Sequence, residues 1–428
     1  MRAADAGGAE ARLRRRPAAA AGRVPWRTAL LVLAALWLAY RIAVGAVADH
    51  FAATNPELAL SFVADQPLAL VALAETRRTE GGAADVAAAR AMAERALLAD
   101  PLSMQALRTL ALIDSLTGET DRANALMEAA GSRTGRDRLV QTWLLRRAAA
   151  EGDLSRMLTE ADKLLRVRLE QRAELAPFLI QAMMEPEARP AVVAMLATAP
   201  PWRAWMVQRF VRDAPDVRPL KPILLDLKAT AAPPTAAEME GLQNRLINDG
   251  AIAEAYIAWI QLTFPRERIS SLNNGDFRDP ISGSPFDWRI VQPNGAQISV
   301  RRAEGASGQA LAVDFLGGRT RFSNVRQIMA LPPGKYTFSG RVSAESLVTP
   351  RGMQWRLYCL PGMTVIAETE RVRASSPWKP FDVPFDVSPD CSGQVLRLEL
   401  SARVPSEENI TGRILYTDLQ VNRSADVP

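Results

Sequence analysis

Residues 353–360 read MQWRLYCL. Met353, Trp355, Leu357 and Cys359 alternate with Gln354, Arg356 and Tyr358. A period of two puts successive side chains on opposite faces of an extended chain, so this stretch predicts a strand with an apolar and a polar side. Residues 395–404, VLRLELSARV, repeat the pattern, with Leu396, Leu398, Leu400 and Ala402 inward and Arg397, Glu399, Ser401 and Arg403 outward. Lys335–Ser343 places Tyr336, Phe338 and Val342 on one face, behind a turn at Pro333-Gly334. Further strands fit Gln297–Arg302, Ala310–Phe315, Val325–Leu331, Thr364–Thr369, Phe381–Val387 and Ile414–Val421. Short strands in such density predict an antiparallel β-sandwich over residues 266–428.

Upstream of Pro265 the composition changes. Residues 50–265 are rich in Ala, Leu, Arg and Glu, a mixture that favours helix. Ala123, Leu126, Met127 and Ala130 form an apolar stripe at i, i+3, i+4, i+7, and Leu154, Met157, Leu158, Ala161 and Leu165 form another. Breaks at Gly81-Gly82, Asp100-Pro101, Thr117-Gly118, Gly131 to Gly135 and Glu151-Gly152 predict short antiparallel helices. Prolines from Pro177 to Pro234 keep the next helices short, with Trp202 and Trp205 as packing anchors. A clean hairpin returns from Ala236 to Phe264, turning at Gly250, with Tyr256, Trp259 and Ile260 on its second helix.

A spacing of 34 residues links Ala89 to Ala123, Ala96 to Ala130, Leu73 to Leu107, Leu110 to Leu144 and Gly118 to Gly152. Small residues at these places let helices approach closely, and the glycines supply turns. Over roughly residues 68–166 this resembles the tetratricopeptide repeat, best in residues 104–135; Gln141 and Met157 depart from it. The resemblance implies a helical-hairpin solenoid offering a surface to a protein partner. A generic helical bundle is the other reading.

At the N-terminus, residues 28–48 (TALLVLAALWLAYRIAVGAVA) form one apolar segment of 21 residues. As a helix it is about 31 Å long, the thickness of a bilayer core. Before it, residues 1–27 carry seven Arg and two acidic residues. Basic flanks stay cytoplasmic, so the bulk of the chain is expected across the membrane, in the periplasm of a bacterial inner-membrane protein with a single pass. Two readings stand: a retained anchor, and a signal peptide cleaved after Ala48. The Ala-, Gly-, Arg- and Pro-rich tail is expected to be disordered.

The formal net charge of +5 is carried by that tail alone, so the remainder is neutral on balance and nucleic acid is not an expected partner. One histidine, His50, lies beside the apolar segment. Its isolation removes His-based triads, His-ligated metal sites and His acid–base chemistry from the folded parts. No nucleophile elbow, P-loop or dinucleotide fingerprint is present, so no catalytic residue, no cofactor and no metal site is assigned. Carboxylates such as Asp276, Asp287 and Asp314 keep a glycan-active enzyme as the residual alternative. The two cysteines, Cys359 and Cys391, are expected to form a disulfide in an oxidising compartment; two buried thiols are the alternative.

Leu272-Asn273-Asn274-Gly275-Asp276-Phe277 opens the β region and Ile414-Leu415-Tyr416-Thr417-Asp418-Leu419 closes it. With Trp378, Phe381, Phe385 and the Pro333-Gly334-Lys335-Tyr336 turn, these residues resemble jelly-roll carbohydrate-binding modules of the galactose-binding-like type over most of 270–422. That family commonly places a Glu after the opening aromatic to help hold a structural Ca²⁺. Here the residue is Arg278, which implies an ion pair with Asp418 in place of the ion. The resemblance implies glycan contact through exposed aromatics. Trp355 and Trp378 are assigned to the core, leaving Tyr358 and Trp288 as candidate contacts. Architecture of this kind is similar to accessory proteins of bacterial exopolysaccharide assembly and export. The expectation is therefore a non-catalytic, membrane-anchored periplasmic scaffold, with a glycan-binding or envelope-sensing module acting through the β-sandwich as the alternative.

Overall fold

The computed structural model describes residues 26–167, 170, 172–263, 270–306 and 308–424. Residues 1–25 of the basic tail, and Phe264, lie outside them. The chain forms two compact units, Met1–Val140 and Gln141–Pro428. Their division falls inside a helix, upstream of the change in composition at Pro265.

The first unit is helical. Helix α1 (Trp26–Phe51) is long and apolar enough to cross a bilayer, and its apolar side chains, such as Leu31, Leu36 and Ile42, are exposed. It is followed by α2 (Pro56–Phe62), α3 (Pro67–Glu80), α4 (Ala83–Ala99), α5 (Met104–Leu116), α6 (Thr120–Arg133) and the start of α7 (Arg138–Glu151). Helices α3 and α4 pack as a pair, as do α5 and α6. Small residues make this close approach possible: Ala74, Ala89, Ala93, Ala96, Ala123 and Ala130 are all fully buried. Gly118 takes φ +85° at the turn between α5 and α6, a backbone region that disfavours any side chain. Helix α6 runs through Gly131 and ends at Arg133, inside the break predicted over Gly131 to Gly135; a glycine inside a helix weakens it without ending it. Between pairs, Arg108 joins Glu75 (2.6 Å) and Asp137 (2.5 Å), and Arg90 reaches the fully buried Asp114 (2.6 Å).

In the second unit, α8 (Leu154–Val167), α9 (Arg172–Met184), α10 (Arg189–Leu196), α11 (Arg203–Asp213), α12 (Leu220–Leu227), α13 (Ala236–Asn248) and α14 (Ile252–Thr263) surround one core built on Trp202, Phe210, Leu220, Leu242 and Trp259. Thr235 caps α13 in a capping box with Glu238. Glu238 in turn takes a bidentate pair from the buried Arg203 (2.8 and 2.7 Å).

Nine antiparallel strands follow among the described residues: β1 (Arg289–Ile290), β2 (Ala296–Arg302), β3 (Gln309–Arg319), β4 (Val325–Met329), β5 (Gly334–Leu360), β6 (Thr364–Glu368), β7 (Val372–Val387), β8 (Gly393–Leu400) and β9 (Asn409–Arg423). The two segments expected as separate strands, Lys335–Ser343 and Met353–Leu360, are halves of the single long β5. Its first half pairs with β7 and β9, its second with β6 and β8. Sheet one therefore runs β2-β3-β9-β5-β7 and sheet two β1-β4-β8-β5-β6, joined through β5. Inward residues of both halves, Phe338 and Val342 from one and Met353, Trp355 and Leu357 from the other, share one core, so the sheets face each other as a jelly-roll-like sandwich.

The helical hairpin α13–α14 packs on this sandwich. Phe286 meets Tyr256 and Trp259, with ring centroids at 5.3 and 5.8 Å. Ser284 donates to Gln243 (2.9 Å). Gly393, where β8 begins, lies so near Ile252 that an added Cβ would sit 2.6 Å from its side chain. Phe286, with the partly buried Ile328, Ala330 and Leu360, thus joins the helical core, which is a cluster separate from the core between the sheets.

Candidate functional site on the outer face of sheet two

The alternation that buries Trp355 and Leu398 turns their neighbours outward. Strand β5 presents Gln354, Arg356 and Tyr358, and β8 presents Arg397 and Glu399. Register decides who meets whom. Arg356 lies opposite Arg397 on one side and Glu368 on the other. Arg397 lies opposite Arg326 of β4, and Arg326 opposite Arg289 of β1. Four guanidinium groups therefore form one row across the sheet, a repulsive arrangement unless carboxylates divide it.

Glu399 is the central divider. It accepts from Arg356 (2.8 Å), Arg397 (2.8 Å) and the Tyr358 hydroxyl (2.9 Å to each oxygen). Arg397 also donates to the Tyr358 oxygen (2.7 Å), and its guanidinium lies 4.5 Å from the ring centroid. At one end Arg356 pairs with Glu368 (3.1 Å); at the other Arg289 pairs with Glu240 of α13 (3.5 Å). Arg371 donates to Gln354 (2.9 Å), which donates to Glu368 (3.2 Å). Arg326 is exposed and has no carboxylate partner among the described residues. Desolvation, followed by repulsion from Arg289 and Arg397, holds its pKa below the ordinary arginine value.

Over this network opens a cleft of about 580 Å³. Its lining carries Arg321, Arg356, Arg371, Arg397 and Arg403 against Glu399 and Glu408, with Tyr358, Ser323 and Ser401. The cationic excess and the many donors suit a polar, oxygen-rich ligand. Among the described residues no group of three or more His, Cys, Asp or Glu is placed to hold a metal.

The two candidate aromatics fall differently. Trp288 is fully buried, and the expectation of an exposed sugar platform there is corrected. Its indole N–H donates to the Asn274 carbonyl (2.8 Å), and the ring stacks near Phe277 and Trp355 at 5.3 and 5.6 Å. Lying just before the short β1, it points between the sheets. Tyr358 leaves the core face, as the alternation predicts, but is only 6% exposed because Arg397 covers its ring. It is a positioning residue for Arg397 and Glu399; the open platform expected there is replaced by a guanidinium layer. Trp355 is fully buried, as assigned. Trp378 is half-buried on the outer face of sheet one, where its N–H donates to Glu304 (2.8 Å), so its assignment to the core is also corrected.

Cys359 and Cys391 form a disulfide, with Cα atoms 5.4 Å apart, closing the end of sheet two. Arg278 pairs with Asp276 (3.2 Å) and not with Asp418, which meets Arg341 at 3.9 Å. Close approach of the opening and closing segments is governed by Gly275, where an added Cβ would sit 1.8 Å from the Leu419 carbonyl oxygen. The candidate carboxylates are held locally. Asp287 is buried, accepting from Ser282 (2.7 Å) and the Trp288 amide (2.8 Å), and Asp314 pairs with Arg413.

Sequence reading found Arg356, Arg397 and Glu399 as outward residues without joining them into a site. The available signal was their shared parity in two strands; the missing piece was the register.

No protein-family model matches the chain, and no curated protein matches it. Solved structures similar to the β region include a family 4 carbohydrate-binding module, 19% identical, covering 36% of this chain and all of its own, with a TM-score of 0.29. A putative sugar binding protein from Bacteroides thetaiotaomicron is 10% identical over 36% of this chain and all of its own, with a TM-score of 0.29. A family 61 module, solved in complex with β-1,4-galactotriose, is 16% identical over 37% of this chain and all of its own, with a TM-score of 0.26.

Proposed function

We propose that the chain is a non-catalytic glycan-binding protein that acts through the outer face of sheet two. The carrying observation is the cleft in which β5 and β8 present Arg356, Arg397 and Glu399 as one hydrogen-bonded layer, held from below by Tyr358. Sugars offer many hydroxyls and few charges, and planar polar side chains with fixed geometry recognise them by paired hydrogen bonds. The residues of 270–422 that resemble jelly-roll carbohydrate-binding modules support the same reading. On this proposal α1 anchors the protein in the bacterial inner membrane, with the basic tail in the cytoplasm and the cleft in the periplasm. The helices serve as a tetratricopeptide-like adaptor for a protein partner, placing the glycan site beside exopolysaccharide assembly or export machinery.

The test is calorimetric titration of the full chain, in a mild non-ionic detergent, against the host's own extracellular polysaccharide. Saturable binding that falls about tenfold or more in Tyr358→Ala is expected, since that change frees Arg397 from its seat. A folded chain that binds none of the host glycans sinks the proposal.

A second reading, a scaffold that works by protein contacts alone, draws on Leu98 and Leu102, which are 82% and 75% exposed around the α4–α5 turn. Crosslinking at that turn that captures the same partner from cells lacking the polysaccharide would favour it.

A further inference from the structure

We infer that the ligand of sheet two is a polysaccharide carrying carboxylates on its sugars, read by the row Arg326–Arg397–Arg356 and the cleft beside it. This rests on the glycan-binding reading and narrows it to acidic glycans. Direct cross-strand pairing of like charges opposes folding, and here it occurs three times in one row: Arg289 with Arg326, Arg326 with Arg397, and Arg397 with Arg356. Internal carboxylates offset most of this charge, through Glu240, Glu399 and Glu368. Arg326 is exposed, stands between Arg289 and Arg397 in the row, and has no carboxylate partner among the described residues. Beside the row, Arg321, Arg371 and Arg403 line the cleft.

A neutral sugar offers nothing to offset that charge. A carboxylate does, because the guanidinium fork matches its two oxygens in a bidentate pair. Spacing agrees as well. Strands lie about 4.8 Å apart, so the row presents a cation at intervals close to the length of one pyranose residue. A chain lying across the strands with a carboxylate on successive sugars would meet successive arginines. The face of sheet one carries no such excess, since Arg301 and Arg413 are matched there by Asp314 and Glu345.

The experiment titrates the full chain in neutral detergent with two uronate polymers, polygalacturonate and alginate, with their carboxyl-reduced counterparts, and with dextran sulfate. At least one uronate polymer is expected to bind about tenfold or more tightly than its reduced form, with affinity falling as salt rises. Arg326→Gln, an exposed change that leaves the core untouched, is expected to weaken uronate binding about threefold or more and to leave any binding of the reduced polymer unchanged. Equal affinity for reduced and acidic forms overturns the charge inference and leaves glycan binding standing. Dextran sulfate binding as tightly as the uronates overturns carboxylate recognition in favour of a general polyanion surface. A folded chain that binds none of these polymers, but does bind a neutral host glycan, overturns the inference alone; failure with every glycan overturns both.

Discussion

The two outer faces of the sandwich are made from the same kind of strand and reach opposite electrostatic outcomes. On sheet one, Arg413 sits between Asp314 and Glu345, Arg301 shares Asp314, and the apolar residues Ala310, Ala312 and Leu415 lie beneath Trp378. Charges there are matched in pairs, and Arg341 lies over the Trp378 ring at 5.4 Å. On sheet two, Glu399 must serve Arg356 and Arg397 together, and Arg326 is left over. Alternation alone made both faces polar. The identity of cross-strand neighbours made one of them neutral and the other a cationic cleft.

The largest effect should come from the staple at the end of sheet two. Replacing Cys359 and Cys391 by Ser removes a link spanning 32 residues and is expected to lower stability by about 3–4 kcal/mol. Denaturant unfolding of the second unit measures it; a loss below about 1 kcal/mol would mean that sheet two is held by its ladders alone. Next comes Glu399→Gln. It leaves Arg356 and Arg397 without their shared anion and is expected to cost about 2–3 kcal/mol. The matching change on sheet one, Asp314→Asn, should cost about 1 kcal/mol or less, because Asp314 and Arg413 are 24% and 38% exposed. Equal costs for the two would erase the contrast between the faces.

Smaller still is Tyr358→Phe, which keeps the ring under Arg397 and removes only the hydroxyl shared with Glu399. A loss of about 1 kcal/mol in stability and a few-fold in glycan affinity is expected by denaturation and calorimetry. The smallest effect on binding is expected from Trp378→Ala. On the glycan reading this large aromatic belongs to the silent face, so affinity should change by less than about twofold. A Trp378→Ala variant that loses binding while Tyr358→Phe keeps it would move the site to sheet one.

Much of the sandwich was legible because burial imposes a strict period. Leu396, Leu398 and Leu400 point inward as their spacing requires, and so do Tyr336, Phe338 and Val342. The helical hairpin turning at Gly250 was readable for a similar reason: a glycine at φ +82° between two apolar stripes marks a turn. Aromatic roles were less legible. Trp288 has no partners of alternating parity to betray its face, because β1 is only two residues long. Trp378 carries the parity of a strand residue but falls beside the main core, over the alanines of sheet one.

By itself, the sequence determined the change from helices to strands, most of the strand segments, and the apolar length of α1. These follow from local spacing and composition, which do not depend on distant contacts. It also placed Cys359 on an inward face. Only the tertiary structure decided that β5 bends from one sheet into the other, that Arg289, Arg326, Arg397 and Arg356 stand in one row, and that Glu399 divides them. Register is set by long-range pairing, and a shift of two residues would have kept every inward face while breaking the row.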